Sequence, residues 1–138
     1  MHLGGTTIRA LIAAAVVAAP LCAFAPVATA DRGLLDDAIT LTSGGLCVGH
    51  IHFATVFGPN TPYFGLISAL HGIGPCAVEV TVDWRNLDTG ATGTVRQLVA
   101  GTGGTQISFD PGPGRITGTL TTNAPHKPGT FEFVRTAQ

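Results

Sequence analysis

The chain has 138 residues, 45% of them hydrophobic, and its seven Lys and Arg nearly balance eight Asp and Glu, giving a net charge of −1. This length suits a single domain. Without an excess of basic side chains, the protein lacks the electrostatic signature of one that binds nucleic acid or an anionic membrane surface.

Residues 1–30 have the pattern of a secretory signal peptide. An apolar run over 10–19 is followed by a second small apolar stretch that ends in Ala28-Thr29-Ala30. Signal peptidase needs small side chains three residues and one residue before the cut, so we predict cleavage after this tripeptide. The alternative is a retained membrane anchor, but Pro20 interrupts the apolar run and the segment falls short of about twenty strongly apolar residues. The mature chain, 31–138, is therefore predicted to be exported and not inserted in a membrane.

Cleavage leaves two of the three cysteines, Cys47 and Cys76. An oxidising compartment favours a disulfide, and two cysteines allow only one connectivity. In the chain-entropy model, closing a loop of about thirty residues contributes about 3–4 kcal/mol. That is a large share of the 5–15 kcal/mol typical of a whole domain.

The mature chain is predicted to begin with a loose segment at 31–37 and to continue as strands, because apolar residues from Ala38 onward recur with a period of two. The clearest case is 76–87, whose alternate positions from Cys76 to Trp84 are apolar, so that Trp84 is expected as a large central core group. Loops are predicted at 58–62, 72–75, 87–90, 101–104, 110–114 and 123–129. The strand candidates are 38–43, 46–57, 63–70, 76–87, 91–100, 105–109, 115–122 and 130–136.

This pattern of about seven short strands, with frequent turns and no helix, is typical of a β-sandwich or a small barrel. We favour a single antiparallel β-sandwich over 31–138 that is immunoglobulin-like in architecture. The disulfide departs from the usual immunoglobulin pattern, because Cys76 lies on the tryptophan strand itself. The strand topology is therefore left open.

The stretch GLCVGHIHFA, residues 45–54, raises the question of a metal site. Strand geometry places Cys47 on one face and both His50 and His52 on the other. Two imidazoles on one strand can bind Zn²⁺ or Cu²⁺, but a site needs at least a third ligand. The interpretation that we favour is two histidines on a partly exposed strand face, with no metal and no cofactor. The candidates for a third ligand are His71, His126, Glu79 and Asp83.

The sequence offers no recognisable catalytic group. None of Ser43, Ser68 and Ser108 lies in a G-x-S-x-G motif. Both cysteines are predicted to be oxidised, which removes a thiol nucleophile. Glu79 and Asp83 would lie about 13 Å apart on one strand face, too far for a glycosidase pair. We therefore expect that the protein is not an enzyme. We expect the aromatic residues Phe57, Tyr63 and Phe64 to pack in the core rather than to form an exposed patch.

The stretches APVATAD, VTVDWRNLDTGATGTV and TLTTNAPHKPGTFEF resemble the small exported β proteins of mycobacteria and related actinobacteria. The resemblance implies an envelope or culture-fluid location and transfers no site. We expect a secreted, non-enzymatic protein that binds an unknown protein or envelope ligand through its strand edges or through loops at one end, such as 58–62 and 123–129. The alternative is a secreted metal-binding protein that uses His50 and His52.

Overall fold

The computed structural model describes residues 35–137, so the predicted signal peptide lies outside the described residues. This part of the chain contains strands and no helix, and all its strand pairings are antiparallel, which confirms the all-β prediction. Eight strands form one hydrogen-bonded sheet. The strands are β1 (Ala38–Leu41), β2 (Gly44–Ala54), β3 (Tyr63–Asn86), β4 (Thr92–Ala100), β5 (Thr102–Ser108), β6 (Gly114–Thr122), β7 (His126–Lys127) and β8 (Gly129–Arg135).

Strand β3 organises the sheet, because its 24 residues are long enough for two sets of partners. The first part, 63–73, pairs with β2 and β5, and the second part, 77–86, pairs with β4 and β6. Strand β1 extends the sheet from β2, and β8 extends it from β6. Strand β7 pairs with β1, and an isolated bridge joins Asp36 to Thr130 of β8.

The structure corrects the prediction that 63–70 and 76–87 are separate strands joined by a loop at 72–75. They are one strand that bulges where its register against β2 shifts. At the bulge Gly45 and Gly74 have φ values of +86° and +91°, a region that glycine enters without steric cost. The chain can therefore bend out there and resume its pairing at Ala77, as a β-bulge does.

The predicted connector at 101–104 is also largely wrong, because β5 already begins at Thr102. The hairpin predicted between 76–87 and 91–100 is confirmed, with Trp84 opposite Gly93.

The centre of the core is made of phenylalanines. Phe53 stacks on Phe131 with ring centroids 3.9 Å apart, and the ring centroid of Phe64 lies 5.3 Å from that of Phe53. Trp84 is only half buried and covers Gly93, where any Cβ would collide with the indole. The central role predicted for Trp84 therefore belongs to the phenylalanines, while the predicted inward direction of its strand is confirmed by fully buried Val78, Val80 and Val82.

One buried side-chain amide joins two turns at the end of the sheet. The Asn86 Nδ2 donates to the carbonyl oxygens of Pro111 and Pro113, both at 2.9 Å. Its Oδ1 accepts hydrogen bonds from the backbone N–H groups of Asp88 and Thr89. This amide therefore fixes the turn after β3 against the segment before β6.

We expect Asn86→Ala to lower the free energy of unfolding by about 2 kcal/mol, because it removes these four bonds from a fully buried position. Urea denaturation measures the change. Asn123→Ala is the matched control, because exposed Asn123 accepts a single bond, from the Glu79 N–H. Equal losses in both variants would contradict the proposed role of Asn86.

Candidate functional site

Formal charges are absent from one half of the sheet. Neither residues 38–78 nor residues 97–109 contain Asp, Glu, Lys or Arg. These two stretches form β1, β2, the first part of β3 and all of β5, which are joined through direct pairings. We call these strands the neutral half.

A groove of about 510 Å³ lies on the neutral half. Its apolar walls are Val56 and Phe57, from the turn after β2, and Ile67 of β3, all of them exposed. Ile67 alternates with buried Leu66 and Ser68, so the groove opens on the face of the sheet turned away from the core. We call it the β5 groove; its lining residues are Val56, Phe57, Gly65, Ile67, Gly103, Gly104, Thr105 and Gln106.

Glycines, which have no side chain, leave the space in the β5 groove. Ile67 pairs with Gly104 and Gly65 pairs with Gln106, so glycines form much of the floor between β3 and β5. A Cβ added to Gly104 would have no heavy atom within 4 Å, whereas one added to Gly65 would touch Val56 at 3.2 Å. The turn that carries Val56 therefore folds over Gly65, and the space above Gly104 stays open.

The lining of the β5 groove contains no ionisable side chain. Its polar side chain is the Gln106 amide, because Thr105 pairs with buried Leu66 and its side chain lies on the core face of β5. An apolar cavity of several hundred cubic ångströms with a few polar groups is typical of a small-molecule site. The groove is therefore suited to an uncharged, largely apolar ligand.

The histidines lie where the sequence placed them, on one face of β2 opposite to Cys47. His50 lies between Ile39 of β1 and Ala69 of β3. The His52 Nδ1 is 2.8 Å from the Asp37 Oδ1, a contact that the sequence did not suggest.

Of the predicted third ligands, only His71 lies on the neutral half. It pairs with Val48, which puts it diagonal to His50 and four register positions, about 13 Å, from His52. The second part of β3 carries Glu79 and Asp83, and the His126 Nδ1 hydrogen-bonds the Ala124 carbonyl. Within residues 35–137 no three His, Cys, Asp or Glu side chains are grouped closely enough to hold a metal ion.

No protein-family model, curated protein or solved structure matches this chain. Between residues 35 and 137 there is no helix with the length and apolar character needed to span a membrane. The function of the β5 groove is therefore inferred from its own residues.

The predicted disulfide is present: the Cys47 and Cys76 sulfur atoms are 2.03 Å apart, with the Cα atoms at 5.4 Å. Beside it lies a second exposed apolar surface, where cross-strand partners Leu46 and Ile73 are 83% and 77% exposed. We call this surface the stapled tip. It includes a hollow of about 270 Å³ lined by Leu41, Thr42, Gly45, Leu46, Cys47 and Val48.

The aromatic residues near the first predicted loop divide between core and surface. Phe64 is fully buried as predicted, but Phe57 and Tyr63 are exposed and meet edge to face at 6.4 Å. Sequence reasoning assigned all three to the core and took the glycines of β5 for a connector, so it missed the groove. The absence of charge from 38–78 and 97–109 is the signal that could have revealed it.

The two loops proposed as a joint contact surface lie apart. Asn60, in the loop at 58–62, hydrogen-bonds Thr136 just beyond the end of β8. The loop at 123–129 leads into the start of the same strand and is held against β1 through β7. These loops therefore flank opposite ends of β8 and do not form one surface.

Proposed function

We propose that this is an exported, non-enzymatic binding protein whose β5 groove takes an uncharged, largely apolar ligand at the cell envelope or in the extracellular medium. The observation that carries the proposal is the groove itself, with apolar walls, a glycine floor and no ionisable lining residue. Apolar walls remove ligand surface from water, and the Gln106 amide can orient one polar group of the ligand.

Export is supported by three features. The signal-peptide pattern of residues 1–30 predicts it, and the Cys47–Cys76 disulfide is compatible with an oxidising, extracellular compartment. The resemblance to exported mycobacterial proteins suggests the same location.

Contacts across the core support the proposed sandwich architecture. Phe53 of β2 stacks on Phe131 of β8, although these strands are not neighbours in the sheet. Two parts of the sheet therefore face each other across the phenylalanine core, as the layers of a sandwich do.

The surroundings of the candidate nucleophiles support a non-enzymatic role. Both cysteines of the described chain are joined in the disulfide. Ser68 is 3% exposed, and its hydroxyl donates to the carbonyl oxygens of Gly101 and Gly103. These groups are engaged in holding the structure.

A metal-binding protein built on His50 and His52 remains the alternative. One observation favours it: the Asp37 carboxylate, at hydrogen-bond distance from the His52 Nδ1, would hold the ring in one orientation, as carboxylates do for histidines that bind a metal. Metal analysis of the purified native protein separates the two proposals. One Zn or Cu per chain that survives gel filtration and is lost in His50→Ala would favour the alternative.

Nile red, a neutral apolar dye whose emission increases in apolar surroundings, tests the groove. We expect Gly104→Leu to weaken dye binding at least about tenfold, because the new side chain occupies the open space above Gly104. Leu98→Ser is the control, because Leu98 is an exposed apolar residue of β4 that lies outside the groove.

A second comparison separates the groove from the stapled tip. Phe57→Ser removes a groove wall and should weaken dye binding, whereas Ile73→Ser alters only the tip and should not. Wild-type affinity in Gly104→Leu together with lost binding in Ile73→Ser would overturn the proposed site.

A further inference from the structure

Strand β5 has a free edge. In the part of the chain that the structure describes, β5 pairs only with β3, so no strand covers the backbone N–H and C=O groups on its other side. Natural proteins usually protect such edges with charges, prolines or covering segments, because an open edge recruits another strand. The sequence of β5, TGGTQIS, has neither a charge nor a proline.

The other outer strands differ from β5 in this respect. Strand β4, which precedes Gly101 and also pairs with β3, carries Arg96. Strand β8 carries Glu132 and Arg135 within its seven residues. The nearest charged residues to β5 along the chain are Arg96 and Asp110. Strand β5 is therefore the outer strand least protected against pairing with another strand.

We infer that β5 pairs in antiparallel fashion with β5 of a second copy of this chain, about a twofold axis, and that the two β5 grooves join into one trough. The pairing follows from the strand edge alone, while the trough as a ligand site rests on the proposed function.

The sequence of β5 is complementary to itself. When Thr105 pairs with Thr105 of the second copy, Gly104 comes opposite Gln106 and Gly103 comes opposite Ile107. Each of these pairs matches a glycine with a larger side chain, so the side chains fill space without crowding. No charge faces a like charge, which would otherwise oppose the pairing. A twofold axis also closes the assembly at two copies.

The pairing completes the groove. A twofold axis perpendicular to the sheet leaves both outer faces on the same side, and paired strands lie about 4.8 Å apart. The open side of each groove, at Gly104 and Gln106, then adjoins the same residues of the second copy. Phe57 and Ile67 of each copy wall the two far sides of the trough, which would take an elongated apolar ligand rather than a compact one.

Sedimentation velocity of the exported protein, with its disulfide intact, tests the pairing over a range of concentrations. We expect a monomer–dimer equilibrium in which Gln106→Lys raises the dissociation constant at least about tenfold, because two lysines then lie close together across the axis. Thr119→Lys is the matched control: it adds the same charge at an exposed position of β6, a strand paired on both edges. Its dissociation constant should equal that of the wild type.

Amide hydrogen exchange provides a second measurement that needs no variant. Exchange over 102–108 should slow with increasing concentration in the wild-type protein. A wild type that stays monomeric would overturn the inference, as would a dimer that weakens in Leu98→Lys and not in Gln106→Lys.

The two proposals can fail separately. A monomer that binds Nile red in the β5 groove contradicts the pairing and leaves the proposed function standing. A dimer that depends on Gln106 but binds no dye supports the pairing and contradicts the proposed function.

Discussion

Replacing Phe53 with alanine is expected to lower the free energy of unfolding by about 3–5 kcal/mol. Phe53 is 2% exposed and packs against Phe131 and Phe64, with ring centroids at 3.9 and 5.3 Å. Because Phe131 belongs to β8 and Phe53 to β2, the ring joins strands that share no backbone hydrogen bonds. Its removal leaves a cavity that neither strand can fill alone.

Phe57→Ala makes the same chemical change at a side chain that is 50% exposed. We expect it to cost less than about 1 kcal/mol, because its removal leaves no enclosed cavity. Guanidinium denaturation of both variants beside the wild type provides the comparison. Similar losses of unfolding free energy in the two variants would contradict the assignment of Phe53 to the centre of the core.

The local alternation of the sequence was enough to predict the faces of the strands. Between Cys76 and Trp84 the valines face inward while Glu79 and Asp83 are exposed, because a strand with one wet face must alternate. By the same alternation, Cys47 points in the opposite direction to His50 and His52. These properties depend on neighbours along one strand, so one sequence contains them.

Features that depend on distant pairing were not predictable in this way. Residues 72–75, GIGP, have the composition of a turn, yet β3 continues through them because β2 pairs with β3 on both sides of the bulge. The sequence likewise shows that Phe53 and Trp84 face inward, but not which of them lies at the centre. That depends on how β2 and β8 face each other across the core.

The candidate site combines both kinds of feature. Its walls come from the turn after β2 and from β3, and its floor includes β5, so it forms only when three separate segments meet. The glycines at 103–104 fit a flexible connector as well as a strand with an open face. Pairing with β3 decides between them, since Gly104 is fixed opposite Ile67.

Loss of the Cys47–Cys76 bond is expected to lower the free energy of unfolding by about 3–4 kcal/mol, because the bond closes a loop between residues 29 apart in the sequence. For a domain of this size that corresponds to a fall in Tm of at least about 12 °C. Calorimetry of the Cys47→Ala/Cys76→Ala double variant measures it. The reduced wild-type protein is the control that keeps both side chains in place.

The consequences of breaking the bond should be confined to the middle of β3, around the bulge, because Cys76 lies near the centre of that strand. The disulfide holds the bulge beside the stapled tip, whereas the β5 groove depends on the pairing of residues 63–69 with β5. Below its Tm the double variant should therefore bind Nile red as the wild type does, while amides of residues 70–76 exchange faster. A loss of dye binding without unfolding would show that the groove depends on the bulge. A change in the free energy of unfolding below about 1 kcal/mol would contradict the expected stabilisation by the disulfide.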